Sequence, residues 1–233
     1  MSARRLFVTG TDTDVGKTVA SVALLRALAQ RGLQTAALKP VAAGVDASGQ
    51  NTDALLLQRN TTLHHPYALI NPVLLREAIA PHIAAAKEGI ELSVTNTLAL
   101  CKPVLSARAD VVVIEGAGGW AVPLNSRETM SDLAQAMRAE VILVVAVRLG
   151  CLNHALLTAA AIERDGLVLA GWVANYVDAN MAGAKQNVET LCDRIAAPLL
   201  AELPNCAAPE SMNLADCFGS TMLSGYFAGS PRG

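Results

Sequence analysis

Val8-Thr9-Gly10-Thr11-Asp12-Thr13-Asp14-Val15-Gly16-Lys17-Thr18 decides how this 233-residue chain is read. The apolar run Leu6-Phe7-Val8 leads into it, and a segment of helical apolar period, Val19 to Ala29, leaves it. A strand, a Gly-rich turn ending in Gly-Lys-Thr and a helix together form a cradle for phosphate. Backbone N–H groups of the turn and the positive end of the helix dipole face the anion. In such a cradle Lys17 reaches the β- and γ-phosphates, solvent-facing while no ligand is bound, and the Thr18 hydroxyl ligates Mg²⁺. The first Gly lies six residues before Gly16 rather than five, with Thr11 where Gly is usual. The strand before and the helix after carry the reading in spite of that spacing.

Composition bounds the rest. Hydrophobic residues make up 52% and charged ones 16%, which describes a well-buried globular chain rather than a disordered one. Only 3% are aromatic, so the core is built from Ala, Leu and Val. A net charge of −2 argues against nucleic-acid or membrane-surface binding driven by bulk charge. The five cysteines, Cys101, Cys151, Cys192, Cys206 and Cys217, form no C-x-x-C pair and suggest neither zinc nor a disulfide framework. Reduced thiols and the lack of a signal-like apolar region or a charge-free membrane span lead to the expectation of a cytoplasmic protein. One domain is expected over residues 1–222, with a frayed tail at 223–233.

Short apolar runs alternate with helical patterns. Strands are expected at Leu6–Thr9, Thr35–Lys39, Val111–Glu115, Val141–Val147, Val168–Ala174 and Leu199–Leu203. Helices are expected from the loop to Arg31, closed by Gly32, and at Asp53–Arg59, Leu92–Ser106, Asp132–Arg138, Asn153–Arg164 and Ala184–Ile195. This alternation predicts a mostly parallel central sheet with helices on both faces. In such a sheet ligands sit beyond the carboxyl ends of the strands. Polar or Gly-rich chemistry stands at four of those ends: the phosphate loop, Lys39-Pro40-Val41-Ala42, Glu115-Gly116-Ala117-Gly118-Gly119-Trp120 and Asn175.

Lys39 ends a strand before Pro40, which keeps its backbone extended. There it is either a solvated strand-end lysine or a cation on a transferring phosphoryl group. Glu115 ends an apolar strand, a placement that is costly unless the carboxylate is paired or metal-bound. Thr52 or Asp53 serves as a helix N-cap, or Asp53 helps to hold a metal. His64, His65, His82 and His154 show no metal-ligand spacing and are read as structural. Asn175-Tyr176-Val177-Asp178 lacks the Lys of the guanine-reading motif, so Asn175 is read as a general purine contact.

These strings, continued by Asn51-Thr52-Asp53-Ala54-Leu55, Gly150-Cys151-Leu152-Asn153-His154-Ala155 and Gly171-Trp172-Val173-Ala174-Asn175, resemble those of dethiobiotin synthetases, in order over residues 6 to about 204. The irregular Gly spacing of the loop is normal in that family. The resemblance implies a single-domain P-loop NTPase-like fold and an ATP- and Mg²⁺-dependent ring closure in biotin synthesis. The substrates are 7,8-diaminononanoate, CO₂ or bicarbonate, and ATP. It implies that Lys17 and Lys39 flank the transferring group and that Thr18, Asp53 and Glu115 surround the metal. ATP is assigned to Asp14, Val15, Gly16, Lys17, Thr18, Val19, Glu115, Gly116 and Gly118, with Asn175, Tyr176, Pro204, Asn205 and Cys206 around its base. Substrate is assigned to Thr11, Ala43, Gly116, Ala117, Gly118 and Gly119. It is also assigned to Cys151, Leu152 and Asn153, which meet the substrate carboxylate across the interface of a homodimer.

Three residues depart from the family pattern. Ala43 stands in place of a Ser, Asn187 in place of a Tyr near the substrate tail, and Asn205 in place of a Trp. They admit a paralogue with a related diamine. Two other rivals remain. A ligase with a glutaminase domain would need more chain than this. A partition- or targeting-type ATPase switch would carry a signature Lys near the start of the loop, where this chain has Thr11-Asp12.

Overall fold

A computed structural model of the chain describes residues 3–206 and 213–219; the tail expected at 223–233 lies outside the described residues. In chain order the elements are β1 (Arg4–Gly10), α1 (Lys17–Gln30), β2 (Thr35–Leu38), β3 (Val41–Ala43), α2 (Thr52–Arg59), α3 (Tyr67–Ile70), β4 (Val73–Leu75) and α4 (Pro81–Glu88). There follow α5 (Val94–Leu105), β5 (Val111–Gly119), α6 (Met130–Ala136), β6 (Glu140–Ala146), α7 (Cys151–Arg164), β7 (Leu169–Asn175), α8 (Ala184–Arg194), β8 (Leu199–Leu203) and a 3₁₀ turn at Leu214–Cys217.

Six strands form the central sheet in the order β2-β5-β1-β6-β7-β8, and each neighbouring pair is parallel. Parallel strands bury both faces, and the strand residues divide accordingly. Leu6, Val8, Val113, Ile142, Val144 and Val173 pack under α1 and the 3₁₀ turn. Phe7, Ile114, Val141, Leu143, Val145 and Trp172 pack with Val104 of α5, Leu133 of α6, Ile162 of α7 and Leu191 of α8. The chain leaves β1 toward β2 on one side and later returns to β6 on the other. Such a switch of direction opens a crevice beyond the strand ends, above β1.

Local signals explain most element ends, and several expected boundaries move. Helix α1 closes at Arg31, with Gly32 at φ 74 just beyond, as expected. The strand predicted to end at Glu115 runs on to Gly119. Its register is Val8↔Glu115 and then Gly10↔Gly119, so β1 advances two residues while β5 advances four. That bulge pushes Gly116-Ala117-Gly118 out at the sheet's mouth. Helix α6 begins before Asp132, because Thr129 and Asp132 form a reciprocal capping box. Helix α7 begins at Cys151 rather than Asn153, after Gly150 in the left-handed region. Helix α2 is capped by Asn51, not by Thr52 or Asp53; the Asn51 side chain accepts from the Ala54 N–H.

A second sheet was not expected. β3 and β4 pair in parallel, with Val41↔Val73 and Ala43↔Leu75. Their three-residue lengths carry no readable period. Ala43 of β3, the turn that follows β4 and the first residue of α4 line the crevice.

Candidate active site

The phosphate loop leaves β1 at Gly10 and enters α1 at Lys17. Two residues bend it: Asp14 at φ 56 and Gly16 at φ 89. A side chain at Gly16 would be strained by that φ, and its Cβ would lie 2.0 Å from Asn175 Nδ2. Lys17 is buried rather than solvent-facing, which corrects the expectation. Its Nζ donates to the Asp12 carbonyl at 3.0 Å. Burial first, and then repulsion from Lys39, pushes its pKa down to about 8. Asp12 is itself held: its carboxylate accepts the Thr13 N–H at 2.7 Å and Arg148 Nη2 at 3.1 Å. Neither Asp12 nor Arg148 was singled out from sequence.

Lys39 sits immediately after β2, 4% exposed. Its Nζ donates to Glu115 Oε1 at 2.5 Å, to Asp53 Oδ2 at 3.0 Å and to the Gly116 carbonyl at 3.4 Å. The solvated alternative is thereby excluded. Burial works to lower its pKa, but Glu115 and Asp53 outweigh burial and hold it above the ordinary lysine value. Its backbone is fixed by the unexpected second sheet region. The Lys39 N–H donates to Ile70 O at 2.8 Å, and Asn71 Nδ2 donates to Lys39 O at 2.8 Å. Burial works to raise the Asp53 pKa, and the Lys39 ammonium overrides it and holds the carboxyl below its usual range.

Thr18 Oγ1 donates to Glu115 Oε1 at 2.9 Å. Glu115 is fully buried, and its Oε2 has no partner in the described structure. Among the described residues no three His, Cys, Asp or Glu side chains cluster as a closed metal cage. Thr18, Asp53 and Glu115 instead offer a hydroxyl and two carboxylates, one with an orphaned oxygen. Hard oxygen donors in small number suit Mg²⁺, which keeps waters and phosphate oxygens as its other ligands.

These groups open onto a cleft of about 830 Å³. Asp14, Gly16, Lys17, Thr18, Val19, Lys39, Asp53, Ala117 and Gly118 line it, as does Ala43 on the opposite wall beside Ala78, Ile79, Ala80 and Pro81. Other expected residues stand elsewhere. Val15 and Glu115 are fully buried behind the surface. Thr11 donates its N–H to Val144 O, and Gly119 pairs with Gly10 in the sheet. Asn175 is buried and faces the loop, donating to Val15 O at 2.9 Å. Tyr176, Pro204 and Asn205 line a second cavity, of about 420 Å³, with Asp178, Lys185 and Glu202. It shares no lining residue with the first. Cys206 is half-buried just beyond. Cys151, Leu152 and Asn153 open α7, away from the cleft's lining. Asn187 approaches them, with Nδ2 3.8 Å from Cys151 Sγ.

Comparison with known proteins gives consistent neighbours. A family model described as an AAA domain matches residues 4–212. The ATP-dependent dethiobiotin synthetase BioD of Cellvibrio japonicus is 52% identical over 207 residues, spanning 88% of this chain and 90% of the relative. The BioD of Pseudomonas paraeruginosa is 50% identical over 204 residues, spanning 86% and 90%. Among solved structures, the septum site-determining protein MinD of Pyrococcus horikoshii, complexed with Mg-ADP, superposes with a TM-score of 0.56 at 15% identity over 93% of both chains. The signal recognition particle receptor FtsY of Elizabethkingia anophelis, in complex with GDP, gives 0.54 at 17% identity over 94% of this chain and 65% of that one. The structural likenesses establish the fold, a P-loop NTPase fold, and nothing finer.

Proposed function

This chain belongs to the ATP-dependent dethiobiotin synthetase family, and from that premise we propose how its cleft closes the ring. The activity is that of an ATP-dependent ligase making dethiobiotin in biotin synthesis; a partition-type switch is not favoured. One amine of 7,8-diaminononanoate takes up CO₂ as a carbamate. A carbamate oxygen attacks the γ-phosphorus of ATP, and ADP leaves. The second amine attacks the carbon of the carbamic–phosphoric anhydride, phosphate leaves, and the cyclic urea forms. The protein's part is to position three reactants and to stabilise phosphoryl charge.

The observation that carries this reading is the closed set of charges at the loop. Lys17 and Lys39 face Asp53 and Glu115; Lys17 rests on a backbone carbonyl that phosphate would replace, and Lys39 rests on the two carboxylates. Lys17 leaves the Asp12 carbonyl for the β- and γ-phosphates. Lys39 lies between Glu115 and the Gly116 carbonyl, where a carbamate beside Ala117 and Gly118 meets it. Mg²⁺, held by Thr18, Asp53 and Glu115, would neutralise phosphate oxygens. The single domain spans residues 1–222 and works as a homodimer. Three features of α7 support the dimer: no side chain caps its start, no acid lies in its first turn, and Leu149 and Leu157 are 92% and 63% exposed beside it. Its first N–H groups then receive the carboxylate of substrate bound mainly in the other subunit.

Phosphate release with Mg-ATP and bicarbonate, with and without 7,8-diaminononanoate, tests the function. Release that requires the diamine is expected. Equal release without it would overturn the assignment in favour of a simple ATPase.

A further inference from the structure

Asn175 is the last residue of β7, and it is 9% exposed. Its side chain does not project into the open cleft. Its Nδ2 donates to the Val15 carbonyl at 2.9 Å, and the same amide lies where a Cβ on Gly16 would be. The Val15 carbonyl and the Gly16 N–H belong to one trans peptide plane and point in opposite directions. A donor that fixes this carbonyl outward therefore aims the Gly16 N–H inward, toward the space that an anion fills. Lys17 follows in the next peptide. The other half of the loop has its own tether, because Arg148, just beyond β6, holds the Asp12 carboxylate. The loop is thus pinned from two strand ends, and the Val15 tether is the buried one.

We propose that Asn175 is a positioning residue for the phosphate loop, setting through Val15 and Gly16 the N–H groups and the Lys17 ammonium that receive the triphosphate. This rests on the reading of the loop as the ATP site, and it gives Asn175 a role that does not need the base. A side chain that served only as a purine contact would affect nucleotides alone. One that orients the loop affects any polyphosphate.

The test uses Asn175→Asp, which keeps the shape, loses the donor and sets a carboxylate oxygen against the Val15 carbonyl. Asn175→Ala, which adds no charge, serves if the first variant does not fold. The probes are ATP turnover and inorganic tripolyphosphate, which has no base, followed both as an inhibitor and by calorimetry. Tripolyphosphate binding is expected to weaken about tenfold, the scale of one lost buried hydrogen bond. At saturating ATP, kcat is expected to fall about tenfold or more, because the transferring group is misaligned. A raised KM for ATP with unchanged kcat and unchanged tripolyphosphate affinity would overturn the proposal and leave Asn175 a base contact. If the wild-type protein binds both probes but shows no diamine-dependent turnover, the proposed function fails while the binding data still decide the role of Asn175.

Discussion

One wall of the main cleft carries Lys17, Thr18, Lys39 and Asp53; the other carries Ala43, Ala78, Ile79, Ala80 and Pro81. The first wall is locked before any ligand arrives. Lys17 sits on Asp12, Lys39 on Glu115 and Asp53, and Thr18 on Glu115. The side chains of the second wall are apolar, from Ala to Ile, and none of them takes part in an ion pair. On the proposed function the charged wall sets which reaction is possible, since its groups would meet phosphoryl charge. The apolar wall determines which shape fits, and it tolerates change more readily because nothing there is ion-paired.

The strongest way to break this contrast is Glu115→Gln. Removing one partner of a buried ion pair costs about 3–5 kcal/mol when no other counter-charge remains. Asp53 stays beside Lys39, so the loss should fall toward the lower end, seen as a lower midpoint of thermal unfolding. The Mg²⁺ concentration for half-maximal rate should rise as well. A variant with wild-type stability and Mg²⁺ dependence would mean that the charged wall is not locked through Glu115.

Lys17→Ala should separate rate from stability. Loss of a charge contact made in the transition state costs about 10²–10³-fold in kcat. Stability should change little, because the buried ammonium is disfavoured in the free protein, as its lowered pKa attests. Wild-type turnover by this variant would remove the loop from the mechanism.

The Lys17 pKa near 8 gives a third test. Below that pH the free protein presents an ammonium to phosphate; above it the amine is neutral, and binding must take up a proton. ATP affinity should therefore fall as pH rises through about 8, by at most about tenfold per unit. Calorimetry in buffers of different ionisation enthalpy reads the proton uptake directly. The ligand-free chain should behave in the opposite sense. Its folded pKa lies below the 10.5 of an ordinary lysine, so it gains stability as pH rises between the two values. A flat affinity from about pH 7 to about pH 9 would show that Lys17 is not the titrating contact.

The smallest effect is expected on the apolar wall. Ala43→Ser adds one hydroxyl at the cleft's lining, opposite the charges. A hydrogen bond to a polar substrate there contributes about 0.5–1.5 kcal/mol, which lowers the KM for the diamine by up to about tenfold. An unchanged KM would mean that this wall already meets the substrate by shape alone.

The sequence by itself determined the alternation of strands and helices, the phosphate loop and the buried acid at Glu115. These are local patterns: a Gly-Lys-Thr at a strand–helix junction, and a carboxylate after Val111-Val112-Val113-Ile114. It also placed Lys39 next to a strand end, without saying whether that lysine was solvated. Only the tertiary structure decided that Lys39 is buried between Glu115 and Asp53, and that Asn71 holds its backbone. It alone showed that Tyr176, Pro204 and Asn205 share a second cavity and that Asn175 turns toward Val15. It alone built the apolar wall from β3, β4 and the turn into α4. The physical reason is common to all of these. Each depends on which side of a strand end a residue faces, or on partners far apart in the chain, such as Arg148 and Asp12. Periodicity reports the face of an element but not the neighbour across the crevice, which the order of strands in the sheet supplies.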